Sequence, residues 1–165
     1  MFNFKYKEHD YIFNHLVKLS RNIFFYKDIK LDDKLENRVT LIFAHLSIII
    51  KNLNKKKEYK NISQEIYDNI FHNLENNLRE LGHGDVTVNK KMKLFNRMFH
   101  DILIKFVDEK NKNLIQINEI YKFLFKNDEN EEIKEKLPSY FKEYHNFCFD
   151  IVNKNMIKEI DKFEY

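Results

Sequence analysis

Leu78-Arg79-Glu80-Leu81-Gly82-His83-Gly84-Asp85 is the stretch whose reading decides the fold. It holds both glycines of the sequence. Glycine takes positive φ without the steric cost that a Cβ brings, and helices commonly end on such a residue. Gly82 is therefore expected just past a helix C-terminus. Gly84 and Asp85 then redirect the chain, with Val86-Thr87-Val88 leading in and Lys90-Lys91-Met92-Lys93 in the first turns of the next helix. One such turn between long periodic segments, in a chain this poor in glycine, predicts an all-α fold.

Upstream, helix three is expected to open at Asn61 or Ser63 and to run to Leu81. Ile66, Ile70, Phe71, Leu74, Leu78 and Leu81 share its core face, and Asp68, His72, Glu75 and Arg79 form a polar ladder opposite. Helix two should start at Asp32 or Asp33 and reach about Leu53. Its stretch Val39 to Ile50 is the longest apolar run. That run is shorter than the ~20 residues of a membrane span, so it predicts a core helix. Arg38 and His45 lie on one edge of this helix. Leu41 and Ile48 flank them, which predicts a half-buried, hydrogen-bonded His45. Helix one should span Glu8 to Lys27, with Ile12, Leu16, Leu19, Ile23 and Tyr26 on one stripe and Phe13, Val17 and Phe24 beside it.

Downstream, helix four is expected from about Asn89 to Lys110 on a stripe of Met92, Phe95, Phe99, Ile102, Leu103 and Phe106. Lys90, Lys91, Lys93 and Arg97 make its start electropositive, a place for an acidic partner or phosphate. Ile115 to Phe125 reads as a shorter helix and Asn127 to Glu135 as an acidic connection or the start of the next helix. Pro138 suits the first turn of a last helix that carries Tyr140, Phe141, Tyr144, Cys148 and Ile151. The expected architecture is a single compact all-α domain over residues 1–165 with about six helices. The Gly-x-Gly-Asp turn lies between helices three and four.

The 165 residues are long enough to bury a core, and 43% hydrophobic with 33% charged residues suits a soluble globular chain. One cysteine, Cys148, forbids an intrachain disulfide and a zinc-finger spacing, and fits a reducing compartment. Glu8-His9-Asp10 interrupt any secretory leader. No phosphate loop, nucleophile elbow or third fingerprint glycine is present. His72 with His100-Asp101 is the one arrangement suggestive of an all-α metal-dependent phosphohydrolase. Helical geometry turns these side chains away from their core stripes, so no metal, cofactor or catalytic residue is expected. Lys51, Lys55, Lys56, Lys57 and Lys60, interleaved with Tyr59, suggest a ribosome- or RNA-binding adaptor as an alternative. A solvated loop explains the same pattern.

The run Leu78-Arg79-Glu80-x-Gly82-x-Gly84-Asp85-x-x-Val88-x-Lys90-x-Met92-Lys93 resembles the signature of the ubiquinol–cytochrome c chaperone family, assembly factors of the cytochrome bc complex (respiratory complex III). Ser20-Arg21-x-x-x-Phe25-Tyr26, the Arg38/His45 pair, and Gln64-x-x-x-Asp68 with Phe71 resemble further pieces of it, over roughly residues 16–152. The chain departs from the family at His100-Asp101, where a Gly-Arg pair is usual, and at Asn73 and Glu75. The resemblance implies a chaperone and not an enzyme, one that binds newly made cytochrome b before its incorporation. It also implies contact with the ribosome near its exit tunnel, with a small partner chaperone and peripherally with the membrane, and no DNA partner. Candidate partner-binding residues are Arg79, Glu80, Asp85, Lys90, Lys93, Arg38 and His45, with Gly82 and Gly84 setting the turn. The implied place is the cytoplasm, at the inner face of a bacterial inner membrane, or the matrix side in a mitochondrion.

Overall fold

The structure, a computed structural model, describes residues 2–106, 117–125, 131–151 and 159–165. It is all-α. The helices are α1 (Phe2–Ser20), α2 (Ile23–Lys27), α3 (Leu35–Asn54), α4 (Lys60–Glu80), α5 (Asp85–Phe106), α6 (Ile117–Phe125) and α7 (Glu131–Ile151), with 3-10 turns at Lys57–Tyr59, between α3 and α4, and at Ile160–Lys162, after α7. The described residues include no strand.

α3 is the axis of the molecule. A helix that is apolar on nearly every side must be covered all round, and residues 39–50, with Thr40, His45 and Ser47 the polar ones among them, are buried without a break. α1, α4, α5, α6 and α7 all pack on it. On one flank Phe43 meets Phe71, Phe95 and Phe99. On the other, Phe25, Tyr140, Phe141 and Tyr144 surround the His45 ring. Such aromatic pairs add to the area they bury, by about 0.5–1.5 kcal/mol each.

α3 starts at Leu35, with Lys34 and neither Asp32 nor Asp33 at its N-cap, and α4 starts at Lys60, with Tyr59 and neither Asn61 nor Ser63 there. Three further boundaries differ from expectation. The helix expected over Glu8–Lys27 begins earlier and breaks at Arg21-Asn22. Asn22 leaves helical geometry, and its side chain caps α2 by accepting from the Phe24 N–H at 3.0 Å. The Tyr26 hydroxyl donates to the Ser20 carbonyl at 2.5 Å, which satisfies a carbonyl at the end of α1. Second, Val86-Thr87-Val88 is not a lead-in. α5 starts at Asp85, and Val88 is already a core residue. Third, α7 begins at Glu131, so Pro138 lies inside the helix and not in its first turn, and Glu131–Glu135 is helical. The remainder of the expected acidic connection, residues 127–130, lies outside the described residues, as does the expected end of helix four beyond Phe106.

Candidate partner-binding cleft beside the glycine turn

The end of α4 follows directly from Gly82. Its φ is +86°, the left-handed region. The Gly82 N–H donates to the Arg79 carbonyl at 2.9 Å, and the His83 N–H donates to the Leu78 carbonyl at 3.2 Å. These two bonds form a Schellman cap, which satisfies carbonyls that the last helical turn would leave open. Gly84 plays a different part from the one expected. It is outside the left-handed region, and an added Cβ would meet open space. Its carbonyl accepts from the Val88 N–H at 3.0 Å, the first bond of α5.

Arg79 and Asp85 are partners of each other across this turn. The Arg79 guanidinium donates to Asp85 and also to Glu75 Oε1, at 2.8 Å from Nη2. Asp85 and then Glu75 push its pKa up. The pair stays accessible, but its charges are spent largely on fixing how α5 leaves α4.

Glu80 and Leu81, the next residues, line a cleft of about 320 Å³ between α1, α3 and α4. Val17, Val39, Ile42 and Leu74 supply its apolar wall, while Arg21, Arg38, Asn77 and Glu80 supply its polar lining. Leu81 is 64% exposed at its edge. Arg38 is held by a two-pronged pair with Asp33, Nε to Oδ1 at 2.6 Å and Nη2 to Oδ2 at 2.7 Å. That hydrogen bonding keeps the Asp33 carboxyl below its usual range. Arg21 and Glu80 make no ion pair among the described residues. The cleft therefore offers an apolar wall and charges of both signs, a surface suited to an amphipathic segment.

The expected site residues divide among four places. Arg38 and Glu80 meet at the cleft. Arg79 and Asp85 form the turn pair. Lys90 and Lys93 are exposed on the outer face of α5. His45 is a correction: it is fully buried, so it cannot touch a partner in this fold. Its Nδ1–H donates to the Leu41 carbonyl at 2.6 Å, and its Nε2 accepts from the Tyr140 hydroxyl at 2.8 Å. Arg21 and Asn77 also belong to the cleft, and Leu81, expected on the core face of its helix, is instead exposed at the cleft's edge. The signal for Arg21 is the Ser20-Arg21 pair at the end of α1, which the break at Arg21-Asn22 turns toward the cleft.

The residues of the alternative readings lie away from the cleft. Among the described residues, no three His, Cys, Asp or Glu side chains gather to hold a metal ion. His72 pairs with Asn76 on the exposed face of α4. Two of the five connection lysines lie over rings, Lys55 over Phe149 at 5.0 Å and Lys56 over Tyr59 at 5.5 Å. Burial pushes the Cys148 thiol up to about 12, far from nucleophile chemistry.

No curated protein and no solved structure matches the chain. The family model described as ubiquinol-cytochrome C chaperone does match, over residues 27–115. That span takes in α3, α4, the glycine turn, α5 and two of the cleft's three walls. On that match, the chain belongs to the ubiquinol-cytochrome C chaperone family.

Proposed function

We propose that this chain is an assembly chaperone for respiratory complex III and that it binds newly made cytochrome b in the cleft between α1, α3 and α4. Family membership supports the chaperone role. The observation that carries the choice of site is the cleft itself, apolar on its wall, with Arg21 and Glu80 unpaired among the described residues, and built largely from the matched span. An apolar segment of an immature client loses exposed area there, and the mixed charges fix its orientation. Release follows from differential binding: the segment is free in the immature client and covered once the partner subunits are in place. No bond is made or broken, so the role is not enzymatic. The work is placed at the inner face of the membrane that receives cytochrome b, with the ribosome exit tunnel and a small partner chaperone as further contacts.

The test is an affinity pull-down from native membranes and cytoplasm, read for cytochrome b and ribosomal proteins, beside complex III levels in a deletion strain. Recovered cytochrome b with lost complex III is the expected result. Leu81→Glu, at an exposed position, should keep the helix content and lose cytochrome b. Normal complex III in the deletion strain, with no cytochrome b recovered, would overturn the reading.

A further inference from the structure

α5 carries a second surface, opposite its core stripe. At about 100° per residue, Val86, Lys90, Lys93, Arg97 and Ile104 fall within an arc of roughly 60°. Val88, Phe95 and Phe99 are buried on the opposite side. The line from Val86 to Ile104 is about 27 Å long at ~1.5 Å per residue. Its two ends are aliphatic and strongly exposed, Val86 at 83% and Ile104 at 73%. Leu94, 54% exposed, lies beside the middle. Lys90, Lys93 and Arg97 are exposed and make no ion pair among the described residues. Asp85, five residues before Lys90, is bound to Arg79. Asp101, half-buried, flanks the arc at its edge.

We infer that this face of α5 lies on an anionic lipid surface. The exposed residues of the row share one face of a single helix, so a planar partner can meet them together. Cations in the middle match lipid phosphates, and aliphatic side chains at both ends can enter the headgroup–acyl boundary. The arc carries no Phe or Tyr to stack a nucleobase, and exposed His100 at its other edge is the one ring beside it, which disfavours single-stranded RNA. No helix among the described residues is long and apolar enough to cross a membrane, so the contact made by this face is peripheral. The inference extends the membrane placement proposed above and rests on it for its biological setting. Purified protein with synthetic vesicles contains no cytochrome b, so the two readings fail separately.

The experiment uses the whole chain with phosphatidylcholine vesicles, with and without phosphatidylglycerol. Binding is expected only with phosphatidylglycerol, and it should fall as salt is raised. The triple variant Lys90→Gln, Lys93→Gln, Arg97→Gln should weaken partitioning by about 100-fold, at roughly five-fold per cation. The sequence contains no tryptophan, so Val86→Trp and Ile104→Trp each install a single reporter. Both should be quenched by brominated anionic lipid, with unchanged helix content. Vesicle binding that survives in the triple variant would overturn the proposal, as would reporters that brominated lipid leaves unquenched. So would vesicles left unbound while a polyuridine RNA or an acidic protein is captured through the same three cations.

Discussion

The Tyr140 hydroxyl of α7 donates to His45 Nε2 of α3 at 2.8 Å, inside the core. Nδ1 of the same ring is 2.6 Å from the Leu41 carbonyl, so the proton sits on Nδ1 and the ring is neutral. Both nitrogens are satisfied, and neither can reach water. Burial drives the His45 pKa down to about 3. The bond joins the two helices that carry the aromatic flank of the core.

Acid should therefore loosen the protein well above the carboxylate range. The folded state keeps His45 neutral down to about pH 3, whereas the unfolded chain takes up a proton near the ordinary value of 6.5. Stability is full above that ordinary value and falls as pH drops toward the folded one. His45 alone should remove about 2 kcal/mol between pH 7 and pH 5. His15 and His145 are also held down by burial, and act in the same direction. Urea unfolding at the two pH values measures the loss. A His45→Gln variant should show a shallower slope, and an equal slope would remove His45 as its source.

Tyr140→Phe isolates the hydrogen bond. It keeps the ring contacts with Phe24, Phe25 and Phe141 and leaves His45 Nε2 buried without a donor. An unsatisfied buried acceptor costs about 1–3 kcal/mol, which lowers Tm by roughly 2–4 °C for each kcal/mol in a domain of this size. Combined with His45→Leu, the phenol change should cost much less than it does alone, because the orphaned acceptor is gone. Additive losses in calorimetry would mean that the two side chains are not coupled.

Much of this was legible in the sequence. The Val39–Ile50 run pointed to a core helix but not to one covered on every side, since Thr40, His45 and Ser47 interrupt it and are buried all the same. Gly82 announced a helix end, and the left-handed residue is there. The α1–α2 break was not legible, since Asn22 sits within an unbroken apolar periodicity and acts through a local cap. Pro138 misled for the opposite reason: a strong local rule for starting helices is overridden where α7 packs on α3. The cleft was half legible. Arg38 and Glu80 stood out, but its shape depends on where three helices converge, and no single helix encodes that. His45 could be placed on a helix edge, yet its full burial depends on α7, which lies 95 residues away along the chain.

The two glycines should respond very differently to alanine. Gly82 at φ +86° forces any Cβ into the left-handed region, though nothing crowds it. Gly82→Ala should cost about 1 kcal/mol from conformation alone. Gly84→Ala meets neither strain nor contact and should fall within about 0.5 kcal/mol of the parent. Thermal melts of both variants decide it, and equal losses would refute the assignment of the turn to Gly82 alone.

Cys148 offers a probe of α7 in the intact chain. It is the sole cysteine, fully buried beneath the aromatic flank. Burial pushes its thiol up to about 12, so at pH 7 only about one molecule in 10⁵ carries the reactive thiolate, against a few per cent for a free thiol. A disulfide reagent should therefore label native protein only as fast as α7 opens, and label one thiol at once in denaturant. Tyr140→Phe should speed native labelling about ten-fold for each 1.4 kcal/mol of its measured loss of stability, if opening of α7 tracks global unfolding. Labelling that is already rapid in the unmodified protein at neutral pH would mean that α7 leaves α3 independently. The His45–Tyr140 bond would then not be the clasp that closes this side of the core.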